Sequence, residues 1–400
     1  MEELIDMMRK KGISHVKVLV IDVEGNSKFM IIPRQGLKEA GKGIGIDGSS
    51  IVGLTTVDTS DMIARIDQES AVCVDGDMIL FSSIEYEDGR PFEGDPRGIL
   101  QAVLRDASSY GSFFIKPELE FFIFQDGKPL DSQGYMDPGE GLKIIADTLK
   151  STGLPVERYH HENGPGQYEI EPLMGPALQS CDSLIVLRDT LRYKAHHHEG
   201  RATFMPKPLE GEAGSGLHFH ILLEKDGKNL FESLSLHALH FIGGLMSHAR
   251  GITAVTNPTV NSYKRLVPHY EAPVHISWGR GNRSALIRIP LGGKTRIEYR
   301  SPDPLCNPYL ALALILAAGL DGMKNKIEPP PEVTGDVFTS SSPHETLPST
   351  LQEALEELET DSLVRRVMGD HLVKEFIKLK KKEIEVYNSQ ITRWEHEKYF

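Results

Sequence analysis

The sequence has little of several things that would narrow its function at once. Cysteine is scarce: Cys73, Cys181 and Cys306 are odd in number, far apart and outside any CxxC pattern. That excludes a disulfide framework and a thiolate metal site, and it fits a reducing, cytoplasmic setting. Positive charge is in deficit, with 44 Lys and Arg against 57 Asp and Glu and a formal charge of −13. Bulk electrostatics therefore argue against nucleic-acid or anionic-membrane partners, and any anionic ligand must find a local cluster of arginines. No apolar run is long enough to cross a bilayer, since the longest, Tyr309 to Leu320, is too short. Met1 to Lys11 is charged and amphipathic, without the apolar core of a signal peptide. There is no Walker A motif. Gly43, Gly45 and Gly48 satisfy GxGxxG, but the polar DGSS that follows opens no apolar-periodic helix, so a dinucleotide fold is not predicted. His196 to His198 are consecutive on a helical pattern, face different directions and cannot jointly hold one ion.

What is present is an ordinary globular composition, 40% hydrophobic and 25% charged over 400 residues, with room for two or three cores. Asp88 to Pro96 has turn composition and divides a small N-terminal part, residues 1–100, from a large one, 101–400. The small part reads as a helix over Glu2 to Lys10 followed by strands, clearest at Val16 to Val23 and Met78 to Tyr86. In the large part, strands rich in Glu, His and Arg alternate with amphipathic helices. Residues 328–350, rich in Pro and Ser, read as a surface loop, and the apolar spacing from Leu351 onward predicts helices. The fold class is α+β.

Four strand-like segments carry acids and imidazoles at alternate positions. KPELEFF places Glu118 and Glu120 on one face. In HHENGPGQYEIEP, Glu162 and Glu169 flank the turn Gly164, Pro165, Gly166, a hairpin layout that can bring both carboxylates together. GSGLHFH aligns His218 with His220, and TRIEYR aligns Arg296, Glu298 and Arg300. Each segment alone is equally a solvated face, a satisfied core histidine or a salt-bridge ladder. Together they supply five carboxylates and an imidazole, enough for two octahedral Mg²⁺ or Mn²⁺ ions and too oxygen-rich for structural zinc. Arg265, Arg280, Arg283 and Arg288 lie close in sequence to Arg296 and Arg300. Guanidinium groups grip phosphate and carboxylate bidentately, and arginines beside metals are the equipment of phosphoryl transfer, so an ATP-dependent enzyme is predicted. For Arg280 a charged strand face is an equally good reading.

With these motifs in this order, the chain resembles the glutamine synthetase family along almost its whole length. The resemblance is carried by DGSS at Asp47 to Ser50, SDM at Ser60 to Met62, KPELEFF, HHE with GPGQYE, ATFMPKP at Ala202 to Pro208, GSGLHFH, KRLVPHYEAPV, NRSALIRIP, RIEYRSPD, NPYLALA and the closing WEHEKYF. It implies an N-terminal β-grasp domain and a glutamine-synthetase-type catalytic domain built on an antiparallel half-barrel. It also implies a homo-oligomer of two stacked rings, such as a dodecamer, with active sites between subunits. Two or more Mg²⁺ or Mn²⁺ ions would then serve each site, one held by Glu120, Glu162 and Glu169 at the amino acid, another by Glu118, His218 and Glu298 at the nucleotide. L-glutamate would meet Gly214, Arg265, Glu271, Arg283 and Arg300. ATP, the co-substrate, would meet Glu157, His220, Arg283, Arg288 and Arg296. Asp47, backed by Asp61, would bind ammonium and take its proton in the neighbour's site, while Glu271 would close the site and Arg283 neutralise the transferring phosphate.

The implied reaction is ligation of ammonium to L-glutamate through γ-glutamyl phosphate, giving L-glutamine, ADP and phosphate. Two positions depart from the family's glutamine-forming pattern: Ala213 stands where Asn is usual ahead of GSG, and Leu222 where Ser is frequent after HFH. Both resemble side branches that attach glutamate to larger amines, so a γ-glutamylamide ligase using an amine or polyamine is the alternative. A catalytically silent ring-forming protein is a third reading, disfavoured by the complete ligand set. Residues 328–350 hold no counterpart of the family's NLYDL segment, and regulation by adenylylation is not predicted.

Overall fold

The structure is a computed structural model that describes residues 1–130, 139–268, 270–339 and 344–400. Six strands form an N-terminal sheet: β1 (His15–Ile21), β2 (Ser27–Pro33), β3 (Ile44–Asp47), β4 (Asp61–Ile66), β5 (Val72–Val74) and β6 (Asp77–Glu85). Their order is β2-β1-β6-β4-β3, with β5 paired to β6. The central pair β1–β6 is parallel and every other pair antiparallel, the β-grasp layout expected. The near-continuous apolar run in β1 has a reason: both its faces are buried. Val16 and Val18 pack with Leu4 and Met8 of the helix Glu2–Lys11 in a small core, whereas Leu19 and Ile21 join the main one.

The second sheet has eleven strands: β7 (Ser112–Gln125), β8 (Lys128–Pro129), β9 (Val156–His161), β10 (Gln167–Pro172), β11 (Gly175–Pro176), β12 (Gly200–Thr203), β13 (Leu217–Lys225), β14 (Lys228–Asn229), β15 (Trp278–Arg280), β16 (Ile287–Ile289) and β17 (Ile297–Tyr299). Along the path β15-β16-β17-β13-β7-β10-β9 the two end strands do not meet, so the sheet is a curled, open half-barrel. Its pairs are antiparallel except β15–β16, which is parallel. The fourteen-residue β7 is the spine. Period-two alternation sends Ile115, Leu119, Phe121 and Ile123 into the main core, all 0% exposed, and leaves Lys116, Glu118 and Glu120 on the opposite face.

Behind the sheet runs the helix Pro308–Asn325, which contains the apolar run noted above. It starts where Asn307 caps the Tyr309 and Leu310 amides, and Pro308 occupies the first turn, where no amide hydrogen is needed. The same Asn307 donates to the carbonyls of Asp22 and Val23, fastening the N-terminal sheet to the helix. A second fastening is Arg97, 1% exposed, whose guanidinium is bonded to Asp182 at 2.8–3.0 Å and to Asp67 at 2.7 Å. The C-terminal helices Leu351–Thr360 and Ser362–Asn388 fall where the sequence places them, the latter kinked at Gly369. Of the loop expected over 328–350, residues 340–343 lie outside the described residues. No helix among the described residues is long and apolar enough to cross a membrane.

Candidate active site

The polar face of the half-barrel is the floor of a cavity of about 870 Å³. Strand register assembles it in rows. Glu169 of β10 lies opposite Glu120 of β7; His218 of β13 lies opposite Glu118; His220 lies opposite Lys116 on one side and Glu298 of β17 on the other. Glu162 follows β9 and is turned inward by the hairpin expected from GPG, closed by the Glu162 amide donating to the Gln167 carbonyl at 2.8 Å. Thus Glu118, Glu120, Glu157, Glu162, Glu169, Gly214, His218, His220, Arg265, Glu271, Arg283, Arg288, Arg296 and Arg300, all singled out from sequence, line one space. Glu298 lies directly beneath, 1% exposed, 2.8 Å from Arg288 and 3.8 Å from His218.

The two ends of the floor differ electrostatically. Burial, together with the neighbouring Glu169 and Glu162 charges, pushes the Glu120 carboxyl well above the ordinary range. Glu169 is pushed up to about 7, by burial first and by the surrounding carboxylates. Glu162 is raised by burial as well. Beside this crowd stands His160, 3.2 Å from Glu169 and 3.6 Å from Glu162, whose hydrogen bonds to Glu169 and Glu171 raise it to about 11. Burial also opposes ionisation of Glu118, but hydrogen bonds with His218 (3.2 Å) and His220 (2.6 Å) outweigh it and hold the carboxyl far below its usual range. Arg296 Nε donates to His220 Nδ1 at 3.2 Å, so the His220 proton sits on Nε2 and points at Glu118.

Among the described residues, three groups each bring their ligand atoms within 4.8 Å of one another: Glu118, Glu169 and His218; Glu118, His220 and Glu298; His160, Glu162 and Glu169. Oxygen-rich donors that repel one another until a cation arrives fit hard divalent ions. The grouping differs in part from the sequence-based sets, because Glu118 reaches both histidines and His160 enters the acid-rich end.

The glutamate-facing arginines are set by close approach. At Gly216 a Cβ would stand 2.6 Å from His218 Nε2 and 2.7 Å from Arg265 Nη2, so any larger residue would push these two side chains from their places in the cavity. The Gly216 amide donates to Glu120 at 2.8 Å. Arg265, 3% exposed, donates to backbone carbonyls, Ser301 at 2.7 Å and Arg300 at 3.3 Å. Arg300, 5% exposed, keeps Nε and Nη1 without a hydrogen-bond partner among the described residues, its Nε lying 3.7 Å from Glu298. Glu271, in a left-handed conformation (φ 66°), accepts from Asn163 at 2.8 Å at the rim.

Asp47 and Asp61 are not brought to this cavity. They pair with each other across β3 and β4 and are exposed. The Asp47 carboxylate accepts from the hydroxyls of Ser49 and Ser50 at 2.6 Å, which holds it below the usual range. Arg280 is engaged by Glu332 at 2.7 Å, the charged-face reading.

Several lining residues escaped the sequence reading: Lys116, Arg158, His160, Asn163, Asp336 and Phe338. For Lys116 and His160 the signal was present, since each lies two residues from a chosen acid, Glu118 and Glu162; Arg158 stands two residues before His160 on the same face. Nothing in the sequence marked Asp336 and Phe338, which arrive on the Pro-rich loop.

With the geometry in hand, the chain can be set beside known proteins. A family model described as "Glutamine synthetase, catalytic domain" matches residues 138–399. The glutamine synthetase of Pyrococcus abyssi is 43% identical, covering 96% of both chains, and that of Thermus thermophilus 38% identical, covering 99% and 98%. Among solved structures, apo GmaS without ligand superposes with a TM-score of 0.92 at 33% identity over 100% of this chain and 99% of the other. A GmaS/ADP complex gives 0.93 at the same identity over 99% of each.

Proposed function

The chain belongs to the glutamine synthetase family and is a ligase, and we propose that it joins ammonium to L-glutamate at the expense of ATP, through γ-glutamyl phosphate. The observation that carries this reading is the cavity itself, in which buried carboxylates with raised pKa lie in one space with Arg288 and Arg300, some of whose donors have no hydrogen-bond partner among the described residues. A carboxylate does not react with ammonia, because oxide is a poor leaving group. Phosphorylating the glutamate side chain supplies a good one. Arg300 and Arg265 suit the glutamate carboxylates, and Arg283, Arg288 and Arg296 suit the phosphates. Glu120, Glu162 and Glu169 would hold one Mg²⁺ or Mn²⁺ and Glu118, His218 and Glu298 another; bound there, such ions neutralise phosphate charge. Glu271 at the rim would keep water from the acyl phosphate.

Ammonium must lose a proton before it attacks, and an ionised carboxylate suits both its capture and its deprotonation. Asp47 is such a group, away from its own chain's cavity, so we propose that it acts in a neighbouring subunit's site within a homo-oligomer. The test is phosphate release with glutamate, ATP and Mg²⁺, with and without ammonium; turnover indifferent to ammonium would overturn this reading.

A second reading rests on Ala213 and on Leu222, which continues the His218–His220 face and is 2% exposed, and on the likeness to GmaS, a γ-glutamylmethylamide synthetase. In that reading a larger amine replaces ammonium. A panel of mono- and polyamines separates the two, and turnover as good or better with ammonium counts against the amine.

A further inference from the structure

Lys116 is a buried cation in the cavity floor to which the reaction outlined above assigns no part. It is 5% exposed, faces the same way as Glu118 and Glu120, and stands opposite His220 in the sheet. Its ammonium donates to Glu157 Oε2 at 2.6 Å and makes an ion pair at 2.5 Å with Glu171 Oε2. Glu171 is 0% exposed and is also bonded by Arg158. Glu157, by contrast, has a half-exposed side chain on the cavity wall, an arm that something must aim.

The floor therefore changes sign along its length. One end is rich in carboxylates, Glu120 with Glu169 and Glu162, and has the imidazole of His160 beside them. The next row is mixed, and the third holds Lys116 and His220 beside Glu298, whose charge Arg288 meets, with Arg158 and Arg296 adding positive charge. A polyphosphate entering this cavity is drawn to the cationic end. Without Lys116, Glu157 and Glu171 would add two uncompensated anions there.

We infer that Lys116 is a positioning residue for the nucleotide: it holds Glu157 against the cavity wall and cancels Glu171, so that the cationic end can accept a nucleoside triphosphate. This inference rests on the proposed reading of the cavity, deepens it at the nucleotide end, and leaves the amino-acid end untouched.

The experiment uses the full-length protein and separates KM from kcat. Lys116→Met is expected to raise the ATP KM about tenfold, with glutamate KM and kcat changed less than about threefold. ADP affinity measured by calorimetry should fall in parallel, and Lys116→Arg should recover most of both. Because Lys116 acts through Glu157, adding Glu157→Gln to Lys116→Met should cost nothing more. If Lys116→Met alone fails to fold, the double variant Lys116→Met/Glu171→Gln removes both buried charges, and its ATP KM should still be raised. An unchanged ATP KM and ADP affinity, an equal rise in glutamate KM, or additive effects of the Lys116 and Glu157 changes would each overturn the inference. Absence of ATP turnover in the wild type would instead overturn the reading beneath it.

Discussion

Two clusters in this molecule are made of the same residue types and behave oppositely. Between helices, away from the cavity, His248 bonds Asp361 at 2.8 Å and Asp321 at 3.4 Å. Each acid is satisfied again, Asp361 by the Leu363 amide at 2.8 Å and Asp321 by Arg366 at 3.1 Å. Burial opposes charging of His248, but the hydrogen bonds and charges of Asp361 and Asp321 together outweigh it and its pKa is raised. In the cavity, Glu120, Glu162 and Glu169 crowd one another, and burial pushes all three carboxyl pKa values up, where that of Asp361 is held down. Histidine and carboxylate together do not mark a ligand site. A surplus of buried anions over the cations beside them does, because the missing cation must come from outside.

The comparison can be broken most sharply at Glu120. Glu120→Gln should lower amide formation by about 10³ or more, since it removes a ligand from the charge-neutralising centre. It should also raise the metal-free melting temperature, because a buried repulsion is lost, and abolish the Mg²⁺-induced shift. A drop in metal-free stability would mean that the cavity acids are structural after all.

The exposed pair on the N-terminal sheet sharpens the contrast from another side. Asp47→Ala should cut amide formation about 10²-fold, as loss of a proton acceptor does, while leaving the Mg²⁺-induced melting shift intact. Loss of that shift would show that Asp47 belongs with the metal ligands.

The satisfied cluster should respond in stability alone. His248→Gln is expected to cost about 1–3 kcal/mol near pH 6 with kcat unchanged. With its folded pKa raised, His248 contributes fully below its ordinary pKa of about 6.5, and the contribution fades as pH rises through the elevated value. Asp361, which the His248 hydrogen bond holds low against the effect of burial, loses its share as pH falls through its depressed value. Denaturant titrations of wild type and variant at pH 6 and pH 9 check this: the gap should narrow at pH 9. The smallest effect expected is at Ala213, where Ala213→Asn should shift kcat/KM toward ammonium over methylamine by about threefold, the worth of one polar contact.

Much of this was legible in the chain because strands write their faces in steps of two. Glu118 with Glu120, His218 with His220, and Arg296 with Glu298 and Arg300 could be placed on common faces from spacing alone, and the GPG turn announced that Glu162 and Glu169 would meet. The same rule, applied one step further, reaches Lys116 from Glu118, His160 from Glu162 and Glu171 from Glu169. Adjacent histidines in HHE obscured His160, since spacing does not say which of two neighbours faces in.

By itself the sequence determined the acid, imidazole and guanidinium sets, the turns that fold them together and the apolar faces that bury their strands. Only the tertiary structure decided which acids are crowded together in burial, that Glu118 is shared by two histidines, that Lys116 pairs with Glu171, and that Asp47 stands apart from its own cavity. The reason is physical. Side-chain direction is local and follows from backbone period, whereas charge state depends on burial and on every neighbour within a few ångströms, most of them brought from distant positions along the chain.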